Sequence, residues 1–312
     1  MFMIDILLAT YNSSEYIREQ IDSIIEQDCH DWRLLIRDGG SSDRTRDILE
    51  EYRLRFPDRI DIIATETHAF SVENFSALME TSTAPYVMFC DHDDVWLNDK
   101  VGKTYRKMIE AEKIYGSDKP VLIFTDMAVV NCDLEQVSGS YFAYQNLDPE
   151  KIKLNNLLVQ NIPSGCTMLL NRPLVDLAGK IPDAAVMHDH WIALTACTLG
   201  KIEFLDEATL LYRQHSGNVF GAAKFGPGYI SCKLKDGKRK LKECMFQALA
   251  FLSACASILS DDQIEMLQGF ASINTSSSLS AVRNLVKFRI FKNGMLRNLG
   301  MLYALLQFSQ ER

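Results

Sequence analysis

The sequence predicts an α/β fold, in which a mostly parallel sheet is covered by helices on both faces and followed by a helical region. Two observations predict it. Through most of the chain, short apolar runs alternate with amphipathic segments of helical spacing, a pattern typical of parallel sheets. From residue 224 onward, longer helical segments replace the alternation. We therefore expect a first domain at 1–223 and a helical, basic C-terminal region at 224–312.

The first two units each consist of a strand, a polar loop and a helix. "IDILLAT" at 4–10 is a β-rich apolar run, and "SEYIREQIDSIIEQ" predicts a helix with Ser14 as its N-cap. "WRLLIRDGGSSDRTRDILEEYRLRF" repeats the scheme, with a strand at Leu34–Arg37 and a helix capped near Ser42 or Asp43. A strand "RIDIIAT", a helix "SVENFSALMETS" and a strand "PYVMFC" follow.

The later elements follow a less regular pattern. "DKVGKTYRKMIEAEKIYG" is typical of an exposed helix, and "VLIFTDMAVVN" of a strand. "NNLLVQNIPSGCTMLLNRPLVDLAG" predicts a helix, a loop, a strand and a helix, and the stretch from "MHDHW" to "QHSGNV" predicts a helix, two short strands and a loop. Two long helices, 228–256 and 280–308, separated by "NTSSS", complete the prediction.

The charge is distributed unevenly along the chain. The net charge of −8 divides into −15 for residues 1–223, with 20 Lys/Arg and 35 Asp/Glu, and +7 for residues 224–312, with 13 and 6. The acidic body argues against nucleic acid as the main partner. The basic and apolar tail suits either an anionic membrane surface or a solvated helical face.

Cysteine spacing and hydropathy indicate the compartment. The eight cysteines form no C-x-x-C pair, and the N-terminus "MFMIDILLATYN" lacks the basic region of a signal peptide. The apolar stretch "LGMLYALLQF" is too short to span a bilayer. We expect a reduced, cytoplasmic protein that contacts a membrane only from its inner face.

Three polar sequences, "TYNSS", "DGGSSD" and "DHDDVW", follow predicted strands. In parallel sheets, ligands bind beyond the carboxyl ends of the strands, so we expect these sequences to converge on one edge. The chain contains neither a G-x-x-x-x-G-K-S/T loop nor a G-x-G-x-x-G fingerprint. A P-loop or dinucleotide site is therefore not predicted.

"FCDHDDVW" places three carboxylates and an imidazole in four residues after an apolar strand. In extended geometry Asp91 and Asp93 project to one side and His92 to the other. Two such carboxylates can hold a hard divalent cation, and oxygen ligands favour Mg²⁺ or Mn²⁺. An N-cap and turn cluster explains one or two of the acids but not all three, so we favour a metal site.

Three other polar residues each have two interpretations. Asp38 either accepts hydrogen bonds from a ribose or a base, or only shapes a tight turn. Asp189 in "HDHW" is either an N-cap or a general base across a cleft from the metal. His215 in "YRQHSGN" is either a loop histidine or a metal ligand.

Taken in order, these pieces resemble the inverting nucleotide-sugar glycosyltransferases of the A-type fold, in the large family 2, over about residues 4–221. "CDHDDVWLNDK", "HDHW" and "YRQHSGNVFGA" are most similar to the rhamnosyltransferase-like branch, which assembles bacterial surface polysaccharides. Two positions depart from that branch. His92 stands where glutamine is usual, and "HDHW" stands where "HDWW" is common.

The resemblance implies a donor site built from the first strand ends. Thr10 and Tyr11 would contact the base and ribose, with Asn12 in the same loop. Asp38 would bind the base, and Asn74 in "VENFSALM" would line the donor site.

The resemblance also implies roles for the acidic motifs. Asp91 would reach the ribose or the metal, with His92 beside it in the donor site, and Asp93 would ligate the metal that bridges the diphosphate. Asp189 would be the catalytic base, and His215 would complete metal coordination or contact the diphosphate.

The resulting hypothesis is an inverting, metal-dependent enzyme that moves a sugar, L-rhamnose from dTDP-L-rhamnose, to a glycan or a lipid-diphosphate-linked acceptor. A UDP-hexose donor is an alternative. A sugar-1-phosphate nucleotidyltransferase is another, but "LLATYNSSEY" lacks the glycine-rich, basic loop expected of that class. A non-catalytic glycan-binding relative is the third. The sequence leaves the donor, the linkage, the oligomeric state and the role of His92 open.

The C-terminal region suggests how a lipid-linked acceptor would be reached. Basic residues there are interleaved with apolar ones, and "KLKDGKRKLK" adds a second basic cluster. Lysine and arginine gain about 1 kcal/mol each near an anionic leaflet, so we expect peripheral membrane docking through 224–312. The basic residues of the interleaved stretch are Arg283, Lys287, Arg289, Lys292 and Arg297.

Overall fold

The computed structural model describes residues 3–64, 71–215, 227–274 and 278–309. Contacts between residues divide the chain into two compact units. The first comprises Met1–Tyr141, Pro163–Ile181 and Gly200–Ala222, and the second comprises Phe142–Ile162, Pro182–Leu199 and Ala223–Arg312. The second unit thus takes two segments from within the predicted 1–223 domain, and the boundary near 223 stays a prediction.

In the described part of the first unit, nine strands form one sheet. Their order is β3-β2-β1-β4-β8-β6-β9-β5, with β7 paired to β6. The strands are β1 (Ile4–Thr10), β2 (Trp32–Asp38), β3 (Ile60–Ile63), β4 (Tyr86–Cys90), β5 (Val95–Trp96), β6 (Val121–Val130), β7 (Gln136–Ser138), β8 (Leu169–Asn171) and β9 (Lys201–Arg213).

Most strands of the sheet run in one direction. β3, β2, β1 and β4 are parallel, as predicted, and β6 and β9 pair parallel to each other and run the same way. β8 is antiparallel to both β4 and β6, and β5 and β7 also pair antiparallel, so three strands of a mostly parallel sheet are reversed. Apolar periodicity predicts that a strand forms but does not encode its direction.

Helices of the first unit cover the sheet. β1 and β4 are buried along their whole length, which explains why their sequences are apolar runs rather than alternating ones. The helices of this unit are α1 (Ile17–Ile25), α2 (Thr45–Arg55), α3 (Ser71–Thr81), α4 (Lys100–Tyr115) and α7 (Arg172–Ala178). Two short helices, α5 (Tyr141–Gln145) and α6 (Leu154–Leu157), lie between α4 and α7 in the chain.

The predicted N-caps of the first two helices are corrected. α1 begins three residues after Ser14, with Tyr16 at the cap position, so Ser14 does not cap it. α2 begins at Thr45 with Arg44 at its cap. Asp43 still accepts hydrogen bonds from the backbone N–H and the hydroxyl of Thr45. It therefore stabilises the start of α2 from the position before the cap.

Two other predictions are wrong in detail. α4 is not fully exposed, because Val101, Thr104 and Met108 lie on a buried face. The two short strands predicted after "HDHW" are one strand, β9, whose pairing with β6 shifts register between Thr125 and Ala128. These register shifts interrupt the apolar pattern of the sequence, although the strand itself is continuous.

The second unit is helical. It contains α6 and all of α5 except Tyr141, followed by α8 (His188–Leu199), α9 (Pro227–Cys255), α10 (Asp261–Ala271), α11 (Ser278–Lys287) and α12 (Met295–Ser309).

The predicted helix at 228–256 is confirmed as α9. The predicted helix at 280–308 is two helices, because the chain turns between Arg289 and Gly294, both of which have positive φ. α10, which begins with a capping box between Ser260 and Gln263, was not predicted. None of the described helices is long and apolar enough to cross a bilayer.

Candidate functional site

The loops that follow β1 and β2 are joined at the carboxyl ends of these neighbouring strands. Thr10 lies opposite Asp38 in the strand register. Asn12 adopts a positive φ of 48°, a conformation that asparagine tolerates well. Its N–H donates to Ser41 Oγ at 2.8 Å, and its Oδ1 accepts from the Ser42 N–H at 2.9 Å. Asn12 therefore fastens the two predicted loops to each other.

Asp38 holds the second of these loops in shape. Its Oδ1 accepts from the Thr10 hydroxyl at 3.0 Å, and its Oδ2 accepts from the Ser41 N–H at 2.9 Å and from Arg46 Nε at 2.8 Å. Burial favours the protonated form, but the hydrogen bonds from Arg46, Ser41 and Thr10 outweigh it and lower the pKa of Asp38. The carboxylate is thus ionised and braced.

A cleft of about 350 Å³ opens beside this carboxylate. Its volume lies at the lower end of the range of small-molecule sites, roughly 300–1,000 Å³. Nearby in sequence, the Tyr11 side chain is 53% exposed, in contrast to the buried Thr10. The lining residues are Asp38, Arg46, Leu49, Glu50, Ile62, Ile63 and Ala64.

Asn74 lies on α3 and is buried. Its Oδ1 accepts a hydrogen bond from Arg37 Nε at 3.0 Å. The predicted donor-site asparagine therefore holds an arginine one residue before Asp38, at the end of β2.

The acidic motif is a turn and not an extended strand. β4 ends at Cys90 and β5 begins at Val95, so residues 91–94 reverse between them. The premise that Asp91 and Asp93 project to one side of a strand is therefore wrong. Ligand atoms of Asp91, Asp94 and Cys166 instead lie within 4.8 Å of one another. Cys166 was not foreseen, although "PSGCTM" follows a flexible loop in the sequence.

Asp94, the third acid of the motif, is fully buried. Its Oδ1 accepts from the Arg213 N–H at 3.2 Å, while Oδ2 has no hydrogen-bond partner among the described residues. Burial, followed by repulsion from Asp93 and Asp91, raises the pKa of this carboxyl well above its usual range. Burial within the turn therefore favours the protonated form of Asp94.

Asp93 meets the predicted histidine. His215 Nε2 lies 2.9 Å from Asp93 Oδ2, in a hydrogen bond that the carboxylate accepts. The imidazole ring also packs on Tyr16, with 4.6 Å between the ring centroids. Two residues that are more than a hundred positions apart are thus in direct contact, as the predicted site requires. The rest of that motif, from 216 to 222, lies outside the described residues.

Arg213 ties the acidic turn to the end of β9, and sequence reasoning missed it. The side chain is 3% exposed, and its Nε donates to the Asp93 carbonyl at 3.0 Å. Nη1 donates to the Cys132 carbonyl at 2.8 Å, and Nη2 donates to the Glu19 carboxylate. The guanidinium also lies 4.8 Å from the centre of the Tyr16 ring. An arginine two residues before a candidate ligand was the available signal.

His92 is enclosed by its surroundings. Its Nδ1 is buried without a hydrogen-bond partner in the described structure. Burial lowers the pKa of the ring, so the imidazole is neutral at pH 7.

"HDHW" lies at the start of α8, in the second unit. His188 and His190 are buried, and burial lowers the pKa of His188 to about 3 and that of His190 to about 4. His190 Nε2 donates to the Leu157 carbonyl. Asp189, between them in the first helical turn, is only partly buried. Both histidines are therefore neutral and buried, and the role of Asp189 as the base stays a prediction.

The side chains at the turn fit a hard divalent cation. Asp91 and Asp93 offer carboxylate oxygens and His215 offers an imidazole nitrogen, a combination suited to Mn²⁺ or Mg²⁺. Cys166 does not suit such an ion, because burial raises the pKa of its thiol well above the ordinary value and keeps it protonated. The predicted ligand set of Asp91, Asp93 and His215 stays a prediction.

The sheet and the acidic turn at its strand ends can be compared with known proteins. Residues 5–126 match the model of "Glycosyl transferase family 2". This part of the chain is therefore similar to the family 2 glycosyltransferases.

Two relatives and one solved structure are similar over most of the chain. The putative teichuronic acid biosynthesis glycosyltransferase TuaG of Bacillus subtilis is 26% identical over 71% of this chain and 84% of its own. The dTDP-rhamnosyl transferase RfbG of Shigella flexneri is 28% identical over 69% of this chain and 74% of its own. The S. aureus TarS 1-349 structure in complex with UDP-GlcNAc superposes with a TM-score of 0.58, covering 92% of this chain and 80% of that one at 18% identity. The predicted A-type glycosyltransferase fold is confirmed.

Proposed function

We propose that this protein is an inverting glycosyltransferase that moves L-rhamnose from dTDP-L-rhamnose to a glycan or lipid-diphosphate-linked acceptor of a bacterial surface polysaccharide. It would act at the inner face of the cytoplasmic membrane. The contact between Asp93 and His215 carries the proposal, with the ionised Asp38 at the same edge of the sheet. Similarity to RfbG and the rhamnosyltransferase-like motifs favour the rhamnose donor.

The cleft beside Asp38 would take the nucleotide base. The exposed Tyr11 ring supplies a surface on which a base can stack, and Ile62 and Ile63 supply apolar walls. A base N–H would compete with the Thr10 and Ser41 hydroxyls for Asp38 Oδ1. Because Asp38 is ionised, it accepts such a bond strongly.

The acidic turn would hold the cation and the diphosphate. Asp91 and Asp93, with His215 beside them, are the residues proposed to bind Mg²⁺ or Mn²⁺. When bound, the cation would stabilise the charge that develops on the leaving nucleoside diphosphate. Arg213 keeps Asp93 in place through its backbone carbonyl.

Asp189 would act as the general base. The acceptor hydroxyl oxygen attacks the anomeric carbon as its proton passes to the Asp189 carboxylate. The bond from the anomeric carbon to the diphosphate oxygen breaks in the same step, and the electron pair leaves with the diphosphate. A single displacement of this kind inverts the anomeric configuration and needs no covalent intermediate.

Donor binding is the first test. In a thermal-shift titration of the full chain, dTDP-L-rhamnose with Mn²⁺ should raise the melting temperature more than UDP-hexoses do, because a ligand that binds the native state stabilises it. A larger shift with a UDP-sugar would replace the rhamnose donor but keep the enzyme class. No shift with any nucleotide sugar would favour the non-catalytic relative.

The base assignment has its own test. Asp189→Asn should lower the rate of transfer by about 100-fold or more, the usual worth of a general base, without weakening donor binding. Asp183→Asn, a nearby carboxylate in the same unit, serves as the control and should transfer normally. Transfer by Asp189→Asn at the wild-type rate would refute the assignment.

A further inference from the structure

Helix α12 exposes a face that is entirely apolar. Every residue that is classed as exposed between Met295 and Phe308 is a methionine, a leucine or a tyrosine. Met295 is 77% exposed, and the others lie on the same side of the helix, within about a third of its circumference at 3.6 residues per turn. The exposed residues are Met295, Leu296, Leu299, Leu302, Tyr303 and Leu306.

The opposite face of α12 is also largely apolar, but its side chains are buried. Met301, Ala304, Leu305 and Phe308 are buried, in a helix that packs against α9. The apolar side chains of the other face remain exposed to solvent. A broad exposed apolar face of this kind is typical of an interaction surface.

Helix α11 also exposes apolar residues, and it adds charge. Leu279, Val282 and Val286 are exposed at helical spacing, with Leu279 at 83%. Arg283 and Lys287, one position after Val282 and Val286, are exposed beside them, and Lys287 also pairs with Glu265 of α10. The apolar stripe of α11 is thus flanked by basic residues, of which Arg283 is the one that offers its charge to a partner.

The charge of this segment has one sign. Residues 278–309 contain five basic residues and no aspartate or glutamate. The structure removes Arg297 from the predicted membrane set, because its guanidinium is buried and donates to the carbonyls of Gln145, Asn146 and Asn293. The other four basic residues retain solvent access.

We propose that the exposed face of α11 and α12 docks onto the surface of an anionic lipid membrane. Apolar side chains flanked by lysine and arginine are the composition of helices that lie in the membrane interface. The attraction of the basic residues to anionic headgroups adds to the burial of the leucines.

A second copy of this chain fits the face less well. Two copies that met through it would bring equal positive charges together, because a twofold interface places the same surface on both sides. An anionic leaflet has the opposite charge and is therefore the complementary occupant.

The test uses the full chain and lipid vesicles, without donor or metal. In a flotation assay, the protein should bind vesicles of phosphatidylcholine and phosphatidylglycerol at least ten times more strongly than vesicles of phosphatidylcholine alone. High salt should weaken the binding, because it screens the headgroup charge. Since no substrate is present, the outcome is independent of the proposed transfer reaction.

Matched variants locate the binding surface. Leu299→Gln/Leu306→Gln should reduce vesicle binding at least tenfold, and Arg283→Gln/Arg289→Gln should remove the preference for anionic lipid. Leu54→Gln is the control, because Leu54 is a comparably exposed leucine on α2 of the first unit, at 66%. Thermal melting should be nearly unchanged in all of them, since the substituted side chains are exposed.

Three results would overturn the proposal. One is equal flotation of the wild type and the Leu299→Gln/Leu306→Gln variant. Another is no binding of the wild type to anionic vesicles. The third is a wild-type dimer in solution that this double variant converts to a monomer while vesicle binding stays absent, which would assign the face to a second copy.

Discussion

Arg213→Met tests whether one buried guanidinium holds the acidic turn in place. The substitution leaves two carbonyls, of Asp93 and Cys132, without their donor. A buried polar group left unsatisfied costs about 1–3 kcal/mol, which applies to the Asp93 carbonyl, whereas the exposed Cys132 can bond to water instead. The contact with the Tyr16 ring adds roughly 0.5–2 kcal/mol. The Glu19 carboxylate is half exposed, so its ion pair adds no more than about 1 kcal/mol.

These losses of stability are partly offset, because the variant no longer buries a charge. We therefore expect the free energy of unfolding to fall by about 3 kcal/mol, which corresponds to a melting temperature lower by roughly 6–12 °C for a cooperative unit of about 150–250 residues, the size range of the first unit. Arg213→Lys should fall between the wild type and Arg213→Met, because a single ammonium cannot reproduce the planar fork of donors.

Differential scanning calorimetry measures this loss, and calorimetric titration with dTDP and Mn²⁺ measures its effect on the site. Arg18→Met is the matched control, because Arg18 pairs with Glu51 at 2.6 Å where both side chains are exposed. The control should change the free energy of unfolding by less than about 1 kcal/mol. If Arg213→Met melts as the control does and binds dTDP normally, the bracing role is refuted.

The remaining predictions concern pH and one loop. The pKa of Asp38 is lowered in the folded protein, so it contributes stability above its unfolded pKa that is lost as the pH falls through the folded value. Asp38→Asn should therefore lower the free energy of unfolding at pH 7, and the gap between variant and wild type should close in acid. Chemical denaturation at each pH measures this gap, and a gap that stays constant would contradict the bracing role of Asp38. His190 has a folded pKa of about 4, so stability should fall as the pH drops from about 6.5 towards that value, and less steeply in His190→Gln. Equal slopes in urea titrations at each pH would refute this. Asn12→Ala should weaken dTDP binding through the loss of the Ser42 hydrogen bond, whereas Asn12→Asp, which keeps the acceptor, should retain more of it; equal affinities would count against the loop brace.

The strands β1 and β4 could be predicted to belong to a parallel sheet because they are buried on both faces. β1 and β4 have continuous apolar sequences, and each is followed by a polar loop. β8 could not be assigned a direction, because three residues contain no signal for it. The buried face of α4 could not be predicted either. Lys100 and Thr104 have polar side chains that are typical of an exposed surface, but both are buried.

The site was predictable in residue type but not in its contacts. The acidic residues and His215 stand out because charged groups are unusual at the ends of apolar strands. The role of Arg213 depends on carbonyl groups that any residue offers, so its position two residues before His215 was the one signal for it in the sequence. The pairing of Asp91 with Asp94 and Cys166 arises because residues 91–94 turn, which the assumption of an extended strand concealed.

The most direct test of the central claim is calorimetric titration of dTDP into the full chain, with Mn²⁺ and with EDTA. Asp93→Asn is compared with Asp118→Asn, an exposed carboxylate that lies in the same unit. The account predicts that dTDP binds with Mn²⁺, that EDTA abolishes binding, and that Asp93→Asn weakens it at least tenfold while Asp118→Asn does not. Equal affinity with EDTA, or in Asp93→Asn, would contradict the assignment of the acidic turn to a cation and a nucleoside diphosphate.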